Sequence, residues 1–177
     1  MGSLSPQQIE AAQEFARTTL ETLKTERGVH AETSIAGTAR MAGTFLFRSF
    51  NFPLKDVKAG QAVLSDQANE QGPHLIEVLA GVLGNAGVKL DNQKFGNWSE
   101  NEPLLGFLET QKCLEPKYAT IQRRLGLSLQ ESADSAAVAT ALLIQQSAEI
   151  LDPNIAFSIA AYGFIEGSKT FPAPLLP

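Results

Sequence analysis

Glycine and alanine at helical spacing constrain this chain more than any other feature. Ala156, Ala160, Gly163 and Gly167 lie four, three and four residues apart, hence on one face of a helix. Ala36, Ala39 and Gly43 make a similar track earlier in the chain, and Ala80, Gly84 and Gly87 make a third. Glycine inside a helix costs about 1 kcal/mol relative to alanine, so several such positions imply that something approaches these helices closely. Two readings are open. The favoured one is tight helix–helix contact inside a core; the other is a helix-on-helix dimer interface, or a flat ligand along the glycine face.

Start and stop signals divide the chain into helices. Ser5-Pro6-Gln7-Gln8 combines a capping serine, a proline suited to the first helical position and a capping-box glutamine. The periodic residues Ile9, Ala12, Ala16, Leu20 and Leu23 then predict a helix to Arg27, with Gly28 as its stop. A second helix is expected from about Ala31 to Phe50, largely buried because Arg40 is the one charge in Thr33–Phe47. Phe52-Pro53 ends it. A short helix can occupy Ala59–Gln71, and Pro73 opens a clearer one that ends near Gly87. Val88–Ser99 is polar and turn-rich. Asn101 is expected to cap a helix through Cys113, Pro116 to begin another ending at Gly126, and Ser128-Leu129-Gln130-Glu131 to open one to Leu151. Asp152-Pro153 starts the last, to about Gly167, and three prolines make residues 171–177 a non-helical tail.

No segment sustains period-two alternation of β-branched residues, so no substantial sheet is expected. The expected fold is all-α: a compact bundle of six to seven helices with Gly/Ala contacts, in one domain over residues 1–177. Residues 35–43 and 155–163 align at an offset of 120, and Phe52-Pro53 and Phe171-Pro172 follow them. Three identities in so short a window do not establish a duplicated hairpin.

Composition narrows the function classes. With 44% hydrophobic residues and a net charge of −5, the chain is not intrinsically disordered. Cys113 is the sole cysteine, which excludes an intrachain disulfide scaffold and suits a reducing cytoplasm. Residues 1–15 contain no basic segment followed by an apolar run, so no secretory leader is expected. The uncharged stretches Ser135–Ala148 and Pro153–Ile165 are shorter than the ~20 residues that cross a bilayer, and they read as buried helices rather than membrane spans. The acidic balance argues against nucleic-acid binding, and Lys112, Lys117, Arg123 and Arg124 read as a solvated helix face.

Candidate chemistry is sparse. The chain has two histidines, so a catalytic zinc site would need a carboxylate as its third ligand. Glu77 lies three residues after His74, on the same helical face. Asp66 and Glu70 would join that stripe only in a continuous helix, which Gly72-Pro73 argues against. His30, near the start of the second helix, is poorly placed to meet His74. No metal and no cofactor are therefore expected. Arg40 needs a partner wherever it is buried, such as Glu149 or Glu166; the other reading is an anchor for an anionic ligand. Cys113 has no obvious base beside it and reads as a buried inert thiol. Trp98 reads as a loop anchor or an exposed interaction residue. No phosphate loop or nucleophile elbow is present.

The sequence therefore favours a non-catalytic helical domain that acts by association, as a homodimer or as a module docking another protein. The rival is a small-molecule- or metal-binding bundle, perhaps enzymatic, with Arg40, His74 and Glu77 as its candidate residues.

Overall fold

The computed structural model describes residues 4–96 and 101–175. Among these residues six α-helices follow one another: α1 (Pro6–Leu23), α2 (Ala31–Ser49), α3 (Asp66–Asn85), α4 (Phe107–Leu125), α5 (Leu129–Gln146) and α6 (Pro153–Lys169), with one 3-10 turn at Asn92–Lys94. No strand or sheet occurs among the described residues, which carry two isolated bridges, Thr25 with Gly28 and Ala62 with Thr170. The all-α expectation holds, with six helices among the described residues.

Most caps act as the sequence indicates. The Ser5 hydroxyl accepts the Gln8 N–H at 3.2 Å while the Gln8 side chain accepts the Ser5 N–H at 2.9 Å. Ser128 and Glu131 form the same reciprocal pair at 3.1 and 2.8 Å. Asp152 accepts the Asn154 N–H ahead of Pro153. At α2 the cap is His30, whose Nδ1 accepts the Thr33 N–H.

Several boundaries differ from expectation. Pro73 does not open a helix; Ser65 caps one that begins at Asp66 and passes through Gly72-Pro73 to Asn85. The helices expected on either side of Pro116 are one element, which begins after Gly106 rather than at Asn101. Each proline removes one donor, so the carbonyls of Asn69 and Lys112, four residues earlier, lose their helical partner. Packing of the flanking turns outweighs that cost: Leu75, Val78 and Leu79 are buried after Pro73, and Leu114 and Tyr118 bracket Pro116. The first helix stops at Leu23 because Thr25 and Gly28 close a turn in which Gly28 adopts φ +101°. The fifth stops at Gln146, and Leu151 follows in the connection.

α2 is the axis of the bundle. It touches each of the other five helices, and every residue from Thr33 to Phe47 is buried. Its most extensive partner is α6, and their small-residue tracks face each other. A Cβ on Gly163 would stand 2.8 Å from the Ala39 Cβ, and one on Gly43 would stand 2.6 Å from the Phe164 oxygen. One on Gly167 would fall 2.9 Å from the Gly43 Cα and closer still to the Arg40 carbonyl oxygen. Only hydrogen fits there, so the helix-propensity cost of these glycines is offset by dispersion contacts between backbones. The two helices of the 120-residue echo are thus each other's partners. The third track differs: Gly84 and Gly87 on the α3 side are exposed, with nothing within 4 Å of a Cβ at either.

A polar knot sits inside the apolar core. Tyr118, fully buried, stacks on Phe15 with ring centroids 4.2 Å apart. Its hydroxyl lies 2.7 Å from the Thr19 Oγ1 and donates to the Phe15 carbonyl at 3.1 Å, while the Thr19 and Thr38 hydroxyls meet at 2.9 Å. This knot ties α1, α2 and α4 together.

Candidate functional site

Arg40 projects from the crossing of α2 and α6 into a closed set of acceptors. Its Nε donates to the Glu166 Oε2 at 2.6 Å, and its Nη1 donates to the Leu105 carbonyl at 2.5 Å and to the Thr110 Oγ1 at 3.1 Å. A buried guanidinium needs such partners, because an uncompensated charge in the interior costs several kcal/mol. Of the two carboxylates considered from the sequence, Glu149 lies exposed in the turn after α5, and Glu166 makes the pair.

His74 stands apart from Arg40, on the exposed face of α3. Its Nε2 lies 3.1 Å from the Asp134 Oδ1 on α5. Burial pushes the Asp134 carboxyl up from the ordinary carboxylate range, and the neighbouring imidazole opposes that rise. Glu77 is exposed one turn further on. Because α3 is continuous, Asp66, Glu70, His74 and Glu77 do share a helix, contrary to the break expected at Pro73. Among the described residues no group of three or more His, Cys, Asp or Glu side chains is arranged to hold a metal ion. His30 caps α2 and lies 3.4 Å from the Glu32 carboxylate.

Two further expectations change. Cys113 is exposed, not buried. It falls on the outer face of α4, opposite the face that carries Leu114 and Tyr118 into the core. Trp98 lies outside the described residues. The basic residues of α4 face outward as expected, and two of them fasten α4 to α1: Lys117 reaches the Thr22 hydroxyl at 2.8 Å, and Arg124 pairs with Glu10 and Glu14.

The most developed polar constellation was not legible in the sequence. Arg48, in the last turn of α2, grips the buried Glu115 with both arms, Nε to Oε1 at 2.5 Å and Nη2 to Oε2 at 3.1 Å. The same Nη2 donates to the Ala173 carbonyl at 2.7 Å. The Gln111 side-chain amide also donates to Glu115, and it reads both backbone groups of Ala173: its Oε1 accepts the Ala173 N–H at 2.9 Å, and its Nε2 donates to the Ala173 carbonyl at 3.1 Å. Charge-assisted, bidentate contacts of this kind are short and directional. Treating Pro116 as a helix start hid them; on one continuous helix Gln111, Glu115 and Tyr118 share the buried face.

Around this clamp runs an open groove of ≈ 450 Å³, walled by Leu108, Lys112 and Pro116 on α4 and by Ala173, Pro174 and Leu175 of the C-terminal segment. Leu108 and Leu175 remain 42% and 41% exposed. A second groove of ≈ 390 Å³ lies by the start of α2, between Leu23, Val29, His30 and Leu104.

Among the described residues no helix is long and apolar enough to cross a membrane. Compared with protein-family models, with curated proteins and with solved structures, the chain matches none.

Proposed function

We propose that this chain works by association with another protein surface, most simply as a homodimer, without catalysing a reaction. The observation that carries the reading is the open groove beside α4, whose rim keeps Leu108, Leu175 and Pro116 in contact with water. Apolar rims of this sort are covered in assemblies, and a symmetric dimer covers the same patch on both copies at once. The interior supports the same conclusion from the opposite side. Arg40 and Arg48 are matched by Glu166, Glu115 and main-chain carbonyls of the same chain, so neither guanidinium requires a bound anion. We place the protein in a reducing cytoplasm, where the exposed Cys113 thiol is kept from oxidation.

Light scattering on the purified chain over a wide concentration range tests this. The expected result is a mass that rises from one copy to two, with Leu108→Asp shifting the rise to higher concentration. A single-copy mass throughout, or a dimer indifferent to Leu108→Asp, overturns the assignment to this face. Stoichiometric metal in elemental analysis, lost on His74→Ala, supports the ligand-binding alternative built on Arg40, His74 and Glu77.

A further inference from the structure

The groove at the start of α2 has apolar walls that are already set in place. Its ≈ 390 Å³ lie between Leu23 at the end of α1, Val29 ahead of α2, and Leu104 and Leu105 ahead of α4. That volume falls in the lower part of the ~300–1,000 Å³ range of small-molecule sites, which are likewise mostly apolar with a few polar groups. Val29 also walls a recess of ≈ 180 Å³ shared with Leu20 and Ile150, so apolar surface continues past the groove. Main-chain bonds fix the 104–105 wall: the Leu104 N–H donates to the Thr33 Oγ1 at 2.9 Å, and the Leu105 carbonyl accepts the Arg40 Nη1 at 2.5 Å. The Leu104 side chain is nonetheless 71% exposed. Its backbone is ordered without its side chain being covered, so a ligand that covers it has less ordering entropy to overcome.

One cation on this wall is unused. Arg27 lines the groove, its N–H bonded to the Thr25 hydroxyl at 3.2 Å in the turn that Thr25 and Gly28 close. Its guanidinium has no hydrogen-bond or ion-pair partner among the described residues, whereas Arg40, Arg48 and Arg124 each meet a carboxylate. The other polar groups of the wall are taken. The Thr25 hydroxyl donates to the Gly28 carbonyl at 3.0 Å, the Thr33 Oγ1 lies 2.8 Å from the His30 Nδ1, and the His30 Nε2 lies 3.4 Å from the Glu32 carboxylate. With Glu32 behind His30, the local balance suits a head group of one negative charge rather than two.

We propose that this groove binds an anionic amphiphile: a free straight-chain monocarboxylate of about eight carbons, a size that suits the lower end of small-molecule sites. Its alkyl chain lies along Leu23, Val29, Leu104 and Leu105, and its carboxylate sits on the Arg27 guanidinium. The planar fork of a guanidinium matches the two oxygens of a carboxylate. The inference goes beyond the association reading, since this groove shares no wall residue with the one beside α4.

Titration calorimetry on the full-length chain tests this with hexanoate, octanoate and uncharged octanol, each below its aggregation limit. One saturable site is expected, with affinity rising about threefold to fourfold per methylene from hexanoate to octanoate. Arg27→Gln is expected to weaken octanoate by about fivefold, the modest effect of an exposed charge, and to leave octanol unchanged. Leu104→Asp is expected to weaken both by on the order of tenfold. Arg27 and Leu104 are exposed, and an unchanged thermal midpoint checks that each variant folds. In isotope-labelled protein the amide shifts on adding octanoate are expected at Val29, Thr33 and Leu105. Octanoate that does not bind, that binds Arg27→Gln as tightly as the parent, or that shifts amides elsewhere instead, overturns the proposal. A dimer broken by Leu104→Asp while octanoate binding is unaltered gives the groove to a second copy and overturns it too.

Discussion

Arg40 and Glu166 meet at 2.6 Å beside the point where Gly167 packs on the Arg40 main chain, so a backbone contact with no room for a Cβ and a buried cation occupy one place. The arginine side chain is 7% exposed and the glutamate 23%. Glu166→Ala therefore leaves a buried guanidinium with only the Leu105 and Thr110 acceptors. The expected cost is about 2–3 kcal/mol, below the ~3–5 kcal/mol of fully buried pairs because water reaches the carboxylate side. Urea denaturation of the variant measures it, and an unchanged midpoint would show that Arg40 does not depend on the pair.

The glycines offer opposite outcomes for one substitution. Gly167→Ala places a methyl against the Arg40 carbonyl and the Gly43 Cα, both main chain and neither able to rotate away. It is expected to destabilise the fold by about 2–3 kcal/mol despite alanine's better helix propensity. Gly84→Ala meets nothing within 4 Å and lies in the last turn of α3. It is expected to stabilise by about 0.5 kcal/mol. Thermal melts of the two variants should move in opposite directions.

Burial pushes the Tyr118 hydroxyl up to about 12, and its bonds to Thr19 and Thr38 only partly oppose the rise. The folded value lies above the ordinary value near 10, so the unfolded chain releases the proton first. The contribution is complete below about pH 10 and is lost at roughly 1.4 kcal/mol per pH unit as pH climbs towards 12. Tyr118→Phe is expected to cost about 1–2 kcal/mol at neutral pH and to remove this slope. Stability measured for both proteins from about pH 9 to pH 11 should converge; parallel curves would contradict the assignment.

Thr44 is 1% exposed, and its Oγ1 is a buried side-chain atom with no hydrogen-bond partner among the described residues. An unmet hydroxyl in the interior loses its hydration without compensation. Thr44→Val keeps the shape and removes the oxygen, so a gain of about 0.5–1 kcal/mol is expected, readable as a higher denaturation midpoint.

How far the fold could be read from the residues follows from where the deciding contacts lie. Caps are local, and Ser5, Ser128 and Asp152 act in the structure as their spacing indicates. The spacing of Ala36, Ala39 and Gly43 and of Gly163 and Gly167 marks two faces that need close neighbours, but not that each is the other's neighbour; that pairing joins residues more than a hundred positions apart. Pro73 and Pro116 read as helix starts because local rules penalise them inside helices, and only burial of the flanking turns carries both helices through. The clamp on the tail fell victim to the same misreading. Splitting α4 at Pro116 places Glu115 at a helix end among lysines, where an acid is ordinarily solvated, and nothing nearby in the chain points to Arg48 or Ala173.

The seam between α2 and α6 has a dynamic consequence. Where side chains interdigitate, an interface can breathe as rotamers hop one at a time; where backbone meets backbone, there is no rotamer to hop. Such a seam parts as a whole or stays shut. The amides of Gly43 and Gly167 should then trade hydrogen for deuterium only when the entire molecule opens, making this the slowest-exchanging zone, while the ends of α3 and the turn after α5 flicker freely.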